Sequence, residues 1–543
     1  MKIVMVVHGF PPRETAGTEW HSYLLAKELS KRHEVYVFSR GSGESYLEYE
    51  DDFDGIPVRR INSPISFTGW NTHIDDRVAL SFSDFLNSLK PDLIHVQHCI
   101  GLGMSTIEVA IERCIPTLLF LHDFYFLCHR THLLKTNGQL CLGPSNQQYC
   151  MDCILASEPS LGKDDAREHG LRRYNYVREI LSKADHIVVP TEFVKEILLA
   201  DLPYLRKITV STLGLDLSVF ENCEKKYSNR LRFGYIGGIY PHKGVHLLVE
   251  AFNGLVETDS ELRVHGGGDP AYLDTLRQTA SNKNIFFLGP YEHHELAKIL
   301  SEIDVFVMPS MCHESFSMTI GEALAAGIPV LVSDARAQAD AIVEGVNGLH
   351  FKCADLNDLK EKLEQIVTDR NLVKQLTKHA GKSPVRSIDV QAAQLEILYR
   401  KLVQRRRRGV HADVGKTFPL GRPLANLLSY IRSLEETRRS LEETRRNLEM
   451  SRISLTEELN KSRTSLAQCE TEIKGLEAEL RVIKHSFGYL SMRFYATRID
   501  RLFPEGTRRG ELRKIVATSI ATLAQKTFGE TEHYVRPKQT SRQ

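Results

Sequence analysis

A chain of 543 residues, 42% hydrophobic and 26% charged, is long enough to bury two or three cores and has the composition of a soluble globular protein. A formal net charge of +1 argues against a global basic footprint for nucleic acid, and ten cysteines in this length are too few for a disulfide framework. No apolar run approaches the roughly 18 residues that a membrane span needs, and Met1-Lys2 leads straight into IVMVV, too short a run for a signal-peptide core. The expectation is a cytoplasmic protein that meets a membrane only peripherally, at its inner face.

Lys2 to Val7 reads as a continuous buried strand, Trp20 to Leu29 has helical spacing, and Glu34 to Phe38 returns as a strand. That unit opens a doubly wound α/β domain. Gly17 lies just before the helix, where a backbone without Cβ can approach a phosphate or hydroxyl; a plain turn glycine is the competing reading. Further strands are expected at Pro57 to Ile61, Leu93 to Val96 and Thr117 to Leu121. The last runs into His122-Asp123, at the carboxyl end of a strand where α/β domains bind ligands; a satisfied structural histidine is the competing reading. The following stretch, DFYFLCHRTHLLKTNGQLCLGPSNQQYCMDC, has little apolar periodicity and reads as a long loop. It holds four of the ten cysteines, Cys128, Cys141, Cys150 and Cys153. The closing C-x2-C suits a structural zinc, but the spacing from Cys128 to Cys141 is not a standard finger spacing. Zinc and unligated thiols therefore both remain open.

Leu171 to Ser182 reads as a helix, Ala184 to Val189 as a strand entering a helix in PTEFVKEILL, and Ile208 to Ser211 as a strand. The polar run from Glu221 to Arg230 has the character of an interdomain linker. Leu231 to Ile236 is a strand, and GGIYPHKGVHLLVEAF follows as loop and helix, with backbone N–H groups at Gly237-Gly238 suited to an anion nest. Strands are expected at Glu261 to His265, before the Gly266-Gly267-Gly268 turn, and at Ile285 to Leu288, with a helix near Glu292 to Leu300. The stretch from Asp304 to Asp334 then gives a strand at Val305 to Met308, a loop with His313 and Glu314, and a helix from about Met318. Gly327 stops that helix, and a strand follows from Pro329 to Val332. Glu314 and Glu322 lie eight residues apart, one in the loop and one in the first turns of the helix. Two solvated glutamates can fall at that spacing by chance. The whole strand–loop–E-x7-E–helix–Gly–strand pattern is far more specific, and its helix N-terminus at a strand's carboxyl end is a ready anion site.

This pattern resembles the donor-site signature of the family 4 retaining glycosyltransferases. The resemblance implies two facing Rossmann-like domains, the GT-B architecture, and sugar transfer from a nucleotide-diphosphate donor with retention of configuration. By that likeness Glu322 would accept hydrogen bonds from the ribose, Glu314 would bind donor-sugar hydroxyls, and His122 would position the sugar. Lys243 and the helix N-terminus near Met318 would stabilise the departing diphosphate without a metal or other cofactor. Gly17, Gly237, Gly238, Gly244, Ser315 and Phe316 would complete the donor site. Glu314 would not be a nucleophile, since the family is discussed in terms of front-face attack. The chain departs from the pattern at Ala16, at Leu213 and Leu215, and at Gly238, where an arginine is usual. Loss of that guanidinium removes a bidentate phosphate clamp. The expected activity is transfer to a polysaccharide or lipid-linked glycan acceptor in surface polysaccharide synthesis. The rivals are a non-catalytic scaffold that organises other transferases, and a GT-B-like epimerase or phosphorylase.

Gln391 to Val403 resembles the family's final helix, which crosses back to the N-terminal domain. Arg405 to Arg408 would end it as a solvated basic run, with contact to anionic lipid as the minority reading. The resemblance ends there. Residues 409–430 read as a linker and 431–490 as a coiled coil. One seam carries Leu434, Leu441, Leu448 and Leu455. The other carries Arg438, Arg445 and Arg452, then Leu459, Leu466, Ile473 and Leu480. The expectation is a homo-oligomer through this segment, against a single solvated helix that folds back on the transferase domains, with 491–543 a basic amphipathic tail for a membrane or a partner. The domain plan is thus 1–220 and 221–386 for the two α/β domains, 387–408 for the crossover helix, and the helical extension beyond.

Overall fold

Short apolar runs buried on both faces suit parallel strands covered by helices, and such runs build the centres of both sheets. The computed structural model describes residues 1–43, 46–63, 74–143, 147–221, 224–255, 259–408 and 422–484, with 518, 519 and 522. The chain divides into a unit from Met1 to Phe418 and a unit from Pro419 to Gln543. In the first unit one sheet contains β1 (Lys2–Val7), β2 (Glu34–Arg40), β3 (Glu48–Phe53), β4 (Ile56–Ile61), β5 (Leu93–Val96), β6 (Thr117–Phe120), β7 (His186–Val189) and β8 (Ile208–Val210). Their order is β3-β4-β2-β1-β5-β6-β7-β8. The second sheet contains β9 (Leu231–Ile236), β10 (Ser260–His265), β11 (Ile285–Gly289), β12 (Val305–Met308), β13 (Val330–Ser333) and β14 (Gly348–Phe351), in the order β11-β10-β9-β12-β13-β14. Strand order reverses beside β1 in one sheet and beside β9 in the other. Crevices for ligands therefore open at the carboxyl ends of β1 and β5 and of β9 and β12.

The hairpin strand β3 was not legible, because EYEDDF is acidic and poor in strand formers. It is held antiparallel to β4 by cross-strand charge: Arg59 pairs with Glu48 at 3.1 Å and Glu50 at 2.5 Å, and Arg60 with Asp51 at 2.6 Å.

The crossover helix, Ile388–Arg407, is longer than its apolar spacing suggests. It packs on the first helix, Gly17–Ser30. His21 Nε2 meets Gln391 Oε1 at 2.7 Å, the Tyr399 hydroxyl meets His95 Nδ1 at 2.6 Å, and Arg32 pairs with Glu396 at 3.1 Å. The basic end is not simply a solvated run. It is helical, and Arg406 and Arg407 reach Asp185 and Asp92 at 3.6 and 3.4 Å, while Arg405 and Arg408 are exposed.

In the second unit one helix spans Arg422–Lys484. It starts inside the segment read as a linker, since Pro423 is tolerated in a first turn and ANLLSYIRSLEE contains no breaker. The seam residues Leu448, Leu455, Leu459, Leu466 and Ile473 are between 53% and 66% exposed. The side chains of Leu434, Leu441 and Leu480, residues 409–421, and the tail from 491 apart from three positions lie outside the described residues. No described helix is long and apolar enough to cross a membrane.

Candidate active site

β12 is buried along its whole length and delivers the loop from Pro309 to Ser317 at its carboxyl end. Ser317 caps the following helix, Met318–Ala325, by accepting from the Ile320 N–H at 3.4 Å, and Gly327 ends it. A buried glutamine fixes the loop. Gln338 Oε1 accepts from the Glu314 N–H at 3.0 Å, and its amide donates to the Cys312 carbonyl at 2.9 Å and the Ser333 hydroxyl at 3.2 Å. The Glu314 carboxylate accepts from Lys243 Nζ at 2.8 and 3.0 Å and from the Ser310 hydroxyl at 2.7 Å. Burial alone would raise the Glu314 pKa, but Lys243 and Ser310 outweigh it and hold the group below the usual carboxylate range. Burial likewise works against the Lys243 ammonium, and Glu314 more than offsets it.

Lys243 closes a single tight turn, Pro241–Lys243, and Gly244 follows with φ of 69°. A Cβ at Gly244 would stand 1.9 Å from the Pro309 carbonyl oxygen, and one at Gly266 (φ 142°) would stand 1.8 Å from that of Gly237. The loops after β9, β10 and β12 are thus pressed backbone to backbone, which brings Lys243 onto Glu314. Gly244→Ala combines left-handed strain with a backbone clash and is expected to cost at least about 3 kcal/mol. Urea unfolding checks this. A loss under about 1 kcal/mol would mean that the two loops part freely.

Glu322 faces the opposite situation. It is buried in the capped helix, with no hydrogen-bond partner for its carboxylate among the described residues. Burial alone raises its pKa to about 7. A buried carboxyl without a protein partner marks a place where ligand hydroxyls can satisfy it.

On the N-terminal domain, His122 follows β6, stacks on Phe120 with ring centroids 4.4 Å apart, and donates from Nε2 to Gln97 Oε1. Its Nδ1 is buried and has no partner among the described residues. Burial first, then the neighbouring His21, hold its pKa well below the usual range, so the ring is neutral. The His122 carbonyl accepts from the Ser315 hydroxyl, and the Thr191 hydroxyl donates to the Ser315 carbonyl at 3.1 Å. Ser315 therefore ties the two domains together, and its hydroxyl is engaged. Phe316 is half-buried and packs with Met318 on the N-terminal core. A Cβ at Gly17 would meet Met318 Sδ at an ordinary 3.8 Å, so two helix N-termini, Gly17 and Met318, come together across the domains. Gly237 has φ of 149°, and Gly238 accepts from the Tyr235 hydroxyl at 2.6 Å. A side chain at Gly238 would press on the Tyr240 ring, 3.0 Å from the Cβ position.

The residues that the sequence reading passed over lie at strand ends. His8 after β1 pairs with Glu19 at 2.9 Å, His98 after β5 pairs with Asp123 at 3.1 Å, and the two imidazoles are 4.4 Å apart. Their position directly after buried strands was the available signal.

The cysteine segment is not one long loop. A Leu134–Leu140 bridge forms a hairpin, and the helix Gln147–Ser157 carries Cys150 and Cys153. All four cysteines are free and half-buried. Burial, then the charges of Cys128, Cys141 and Cys153, push the Cys150 thiol up to about 12. Burial also raises Cys128, against backbone N–H groups of Arg130 and Leu133 at its sulfur. Among the described residues no three His, Cys, Asp or Glu side chains form a group that could hold a metal.

Two doubly wound domains with a donor-type loop at the switch point of the second define a GT-B protein. A model described as Glycosyltransferase Family 4 matches residues 15–219, and one described as Glycosyl transferases group 1 matches residues 220–383. The chain belongs to the family 4 glycosyltransferases. It is 25% identical over 382 residues to the GDP-mannose-dependent alpha-mannosyltransferase of Corynebacterium glutamicum, covering 67% of this chain and 79% of that one. An uncharacterized glycosyltransferase of Methanocaldococcus jannaschii is 23% identical over 207 residues, 36% of this chain; the match spans about half of that protein, 52%. The fold is also that of Anabaena HepE in complex with UDP and glucose, with a TM-score of 0.55 at 16% identity, covering 74% of this chain and 99% of that one.

Proposed function

We propose that this chain is a retaining glycosyltransferase that moves a sugar from a nucleotide-diphosphate sugar to a polysaccharide or lipid-linked glycan acceptor in surface polysaccharide synthesis. One observation carries the reading. Glu322, a buried carboxyl with no hydrogen-bond partner among the described residues, stands eight residues beyond a glutamate clamped by Lys243, in one capped loop–helix at the carboxyl end of β12. In this account the ribose hydroxyls donate to Glu322, and donor-sugar hydroxyls take up Glu314 and His122 Nδ1. Release of Glu314 frees Lys243 for the diphosphate. The acceptor oxygen bonds to the anomeric carbon on the face that the diphosphate leaves. Its proton passes to a departing phosphate oxygen, and Lys243 with the Met318 helix N-terminus carries the developing charge. Those charges are the reason for proposing chemistry independent of a metal, and transfer unaffected by EDTA would support it.

A thermal-shift screen with UDP-, GDP-, ADP- and dTDP-sugars tests donor use. At 100-fold over Kd the matching donor should stabilise the protein by about 2.7 kcal/mol. No shift with any of them would favour the scaffold reading.

Two further proposals concern the rest of the chain. The exposed leucine seam of the Arg422–Lys484 helix is the basis for a parallel dimer, since a lone helix gains little until such a seam is buried. Sedimentation should show the full chain as a dimer and a chain ending at Arg408 as a monomer; a monomeric full chain at micromolar concentration would contradict this. The second is a structural zinc at Cys128, Cys141, Cys150 and Cys153. The mutual influence of these thiols supports it, although binding would require the side chains to converge further than they do. Elemental analysis should find about one zinc per chain, lost in Cys150→Ala/Cys153→Ala. Fully folded, zinc-free protein would refute it. Peripheral membrane contact through residues 491–543 is proposed on their basic, amphipathic sequence alone.

A further inference from the structure

The cysteine segment does more than decorate the N-terminal domain, because it reaches His242, the residue before Lys243, on the other domain. His132 stacks on His242 with ring centroids 4.9 Å apart and planes 21° apart, and His242 directly precedes Lys243. Arg130 is close enough to both rings that its charge disfavours their protonation, and so is Lys243. Arg130 is half-buried. Its backbone N–H contributes a hydrogen bond to the Cys128 sulfur, and its guanidinium donates to the Leu134 carbonyl at 2.9 Å. Among the described residues Arg130 has no carboxylate partner. The acid that acts on His242 is Glu314, already engaged by Lys243 and Ser310. His132 Nδ1 is buried and likewise has no partner among the described residues. Two fixed positive charges and one carboxylate thus flank the His132–His242 stack at a partly buried seam between domains, beside a ring nitrogen with no partner among the described residues. Such a surplus is costly until an anion satisfies it.

We propose that Arg130 and His132 form the N-terminal half of the diphosphate site, so that the donor's diphosphate is held between Arg130 on one domain and Lys243 on the other. The inference rests on the transferase reading above and adds the residues that grip the donor. It also gives a role to the cysteine framework, which fixes the backbone at Cys128 and hence the reach of Arg130. The guanidinium absent at Gly238, where Tyr240 fills the adjoining space, is then supplied by a different element. A guanidinium can engage two phosphate oxygens at once, which an ammonium cannot.

Isothermal titration of the full chain with UDP, GDP, ADP and dTDP, each beside its nucleoside monophosphate, tests this. The diphosphate that binds wild type should lose about tenfold or more in affinity in Arg130→Ala, and the matching monophosphate less than about threefold. Arg130→Lys, which keeps the charge and the fold but not the fork, should fall between wild type and Arg130→Ala; it carries the test if the alanine variant does not fold. Diphosphate affinity unchanged in both variants would overturn the proposal. Equal losses for the diphosphate and the monophosphate would do the same. If no nucleoside diphosphate binds wild type, the transferase reading itself fails and this one with it. Binding that is insensitive to Arg130 leaves the transferase reading standing.

Discussion

Lys243→Ala is expected to lower sugar transfer by tens- to a thousand-fold, the range seen when one preorganised stabiliser of developing charge is removed. The same substitution leaves the Glu314 carboxylate buried with, among the described residues, only the Ser310 hydroxyl bonded to it, so stability should fall by on the order of 3 kcal/mol. The two effects can be separated. In Lys243→Ala/Glu314→Gln the unpaired charge is gone, so stability should largely return while transfer stays low. Recovery of transfer together with stability would mean that Lys243 only shapes the loop.

Glu322→Gln should make the unliganded protein more stable and weaken its hold on a nucleoside diphosphate. The folded-state pKa of Glu322 is raised from 4.5 to about 7 by burial. The native state then binds more protons than the unfolded chain between those values, and stability from this group is lost as pH rises from about 4.5 to about 7. A shift of that size corresponds to on the order of 3 kcal/mol, from which an unsatisfied amide in the variant subtracts about 1 to 2. The quantity to follow is the difference between variant and wild type. His21, His242 and His313, held near 4 by burial, move the stability of both proteins the other way between about 4 and 6.5. That difference should grow in favour of the variant up to about pH 7 and then stay flat. In wild type, diphosphate affinity should fall below pH 7 as Glu322 takes up a proton. A flat difference with unchanged affinity would mean that Glu322 is neither charged nor in contact with the donor.

The central strand, loop and helix were legible because each carries a local signal. VFVM is a buried strand, Pro309 and Ser317 punctuate the loop, and Gly327 adopts the left-handed turn that ends the helix. The glutamate pair could be named from spacing, but the difference between its members could not. Clamping of Glu314 by Lys243 depends on Gly244 packing against Pro309, a contact between loops 65 residues apart in the chain. The acidic strand β3 and the helix bearing Cys150 and Cys153 were missed because cross-strand arginines and tertiary packing override weak local preference there. Ser315 could be named only through the family resemblance, and its bond to the His122 carbonyl is a property of how the two domains meet. Arg130 gave no signal at all. Its significance lies in its place beside the His132–His242 stack, one residue from Lys243 on the other domain.

Proton NMR of the sugar first released from α-configured nucleotide sugars, with water as the acceptor, tests the central claim most directly. The α anomer should be released slowly, ahead of mutarotation, from at least one of the UDP, GDP, ADP and dTDP donors, and none above background with Lys243→Ala. Release of the β anomer would contradict retention. No release from any of the four would contradict a catalytic role for this cleft.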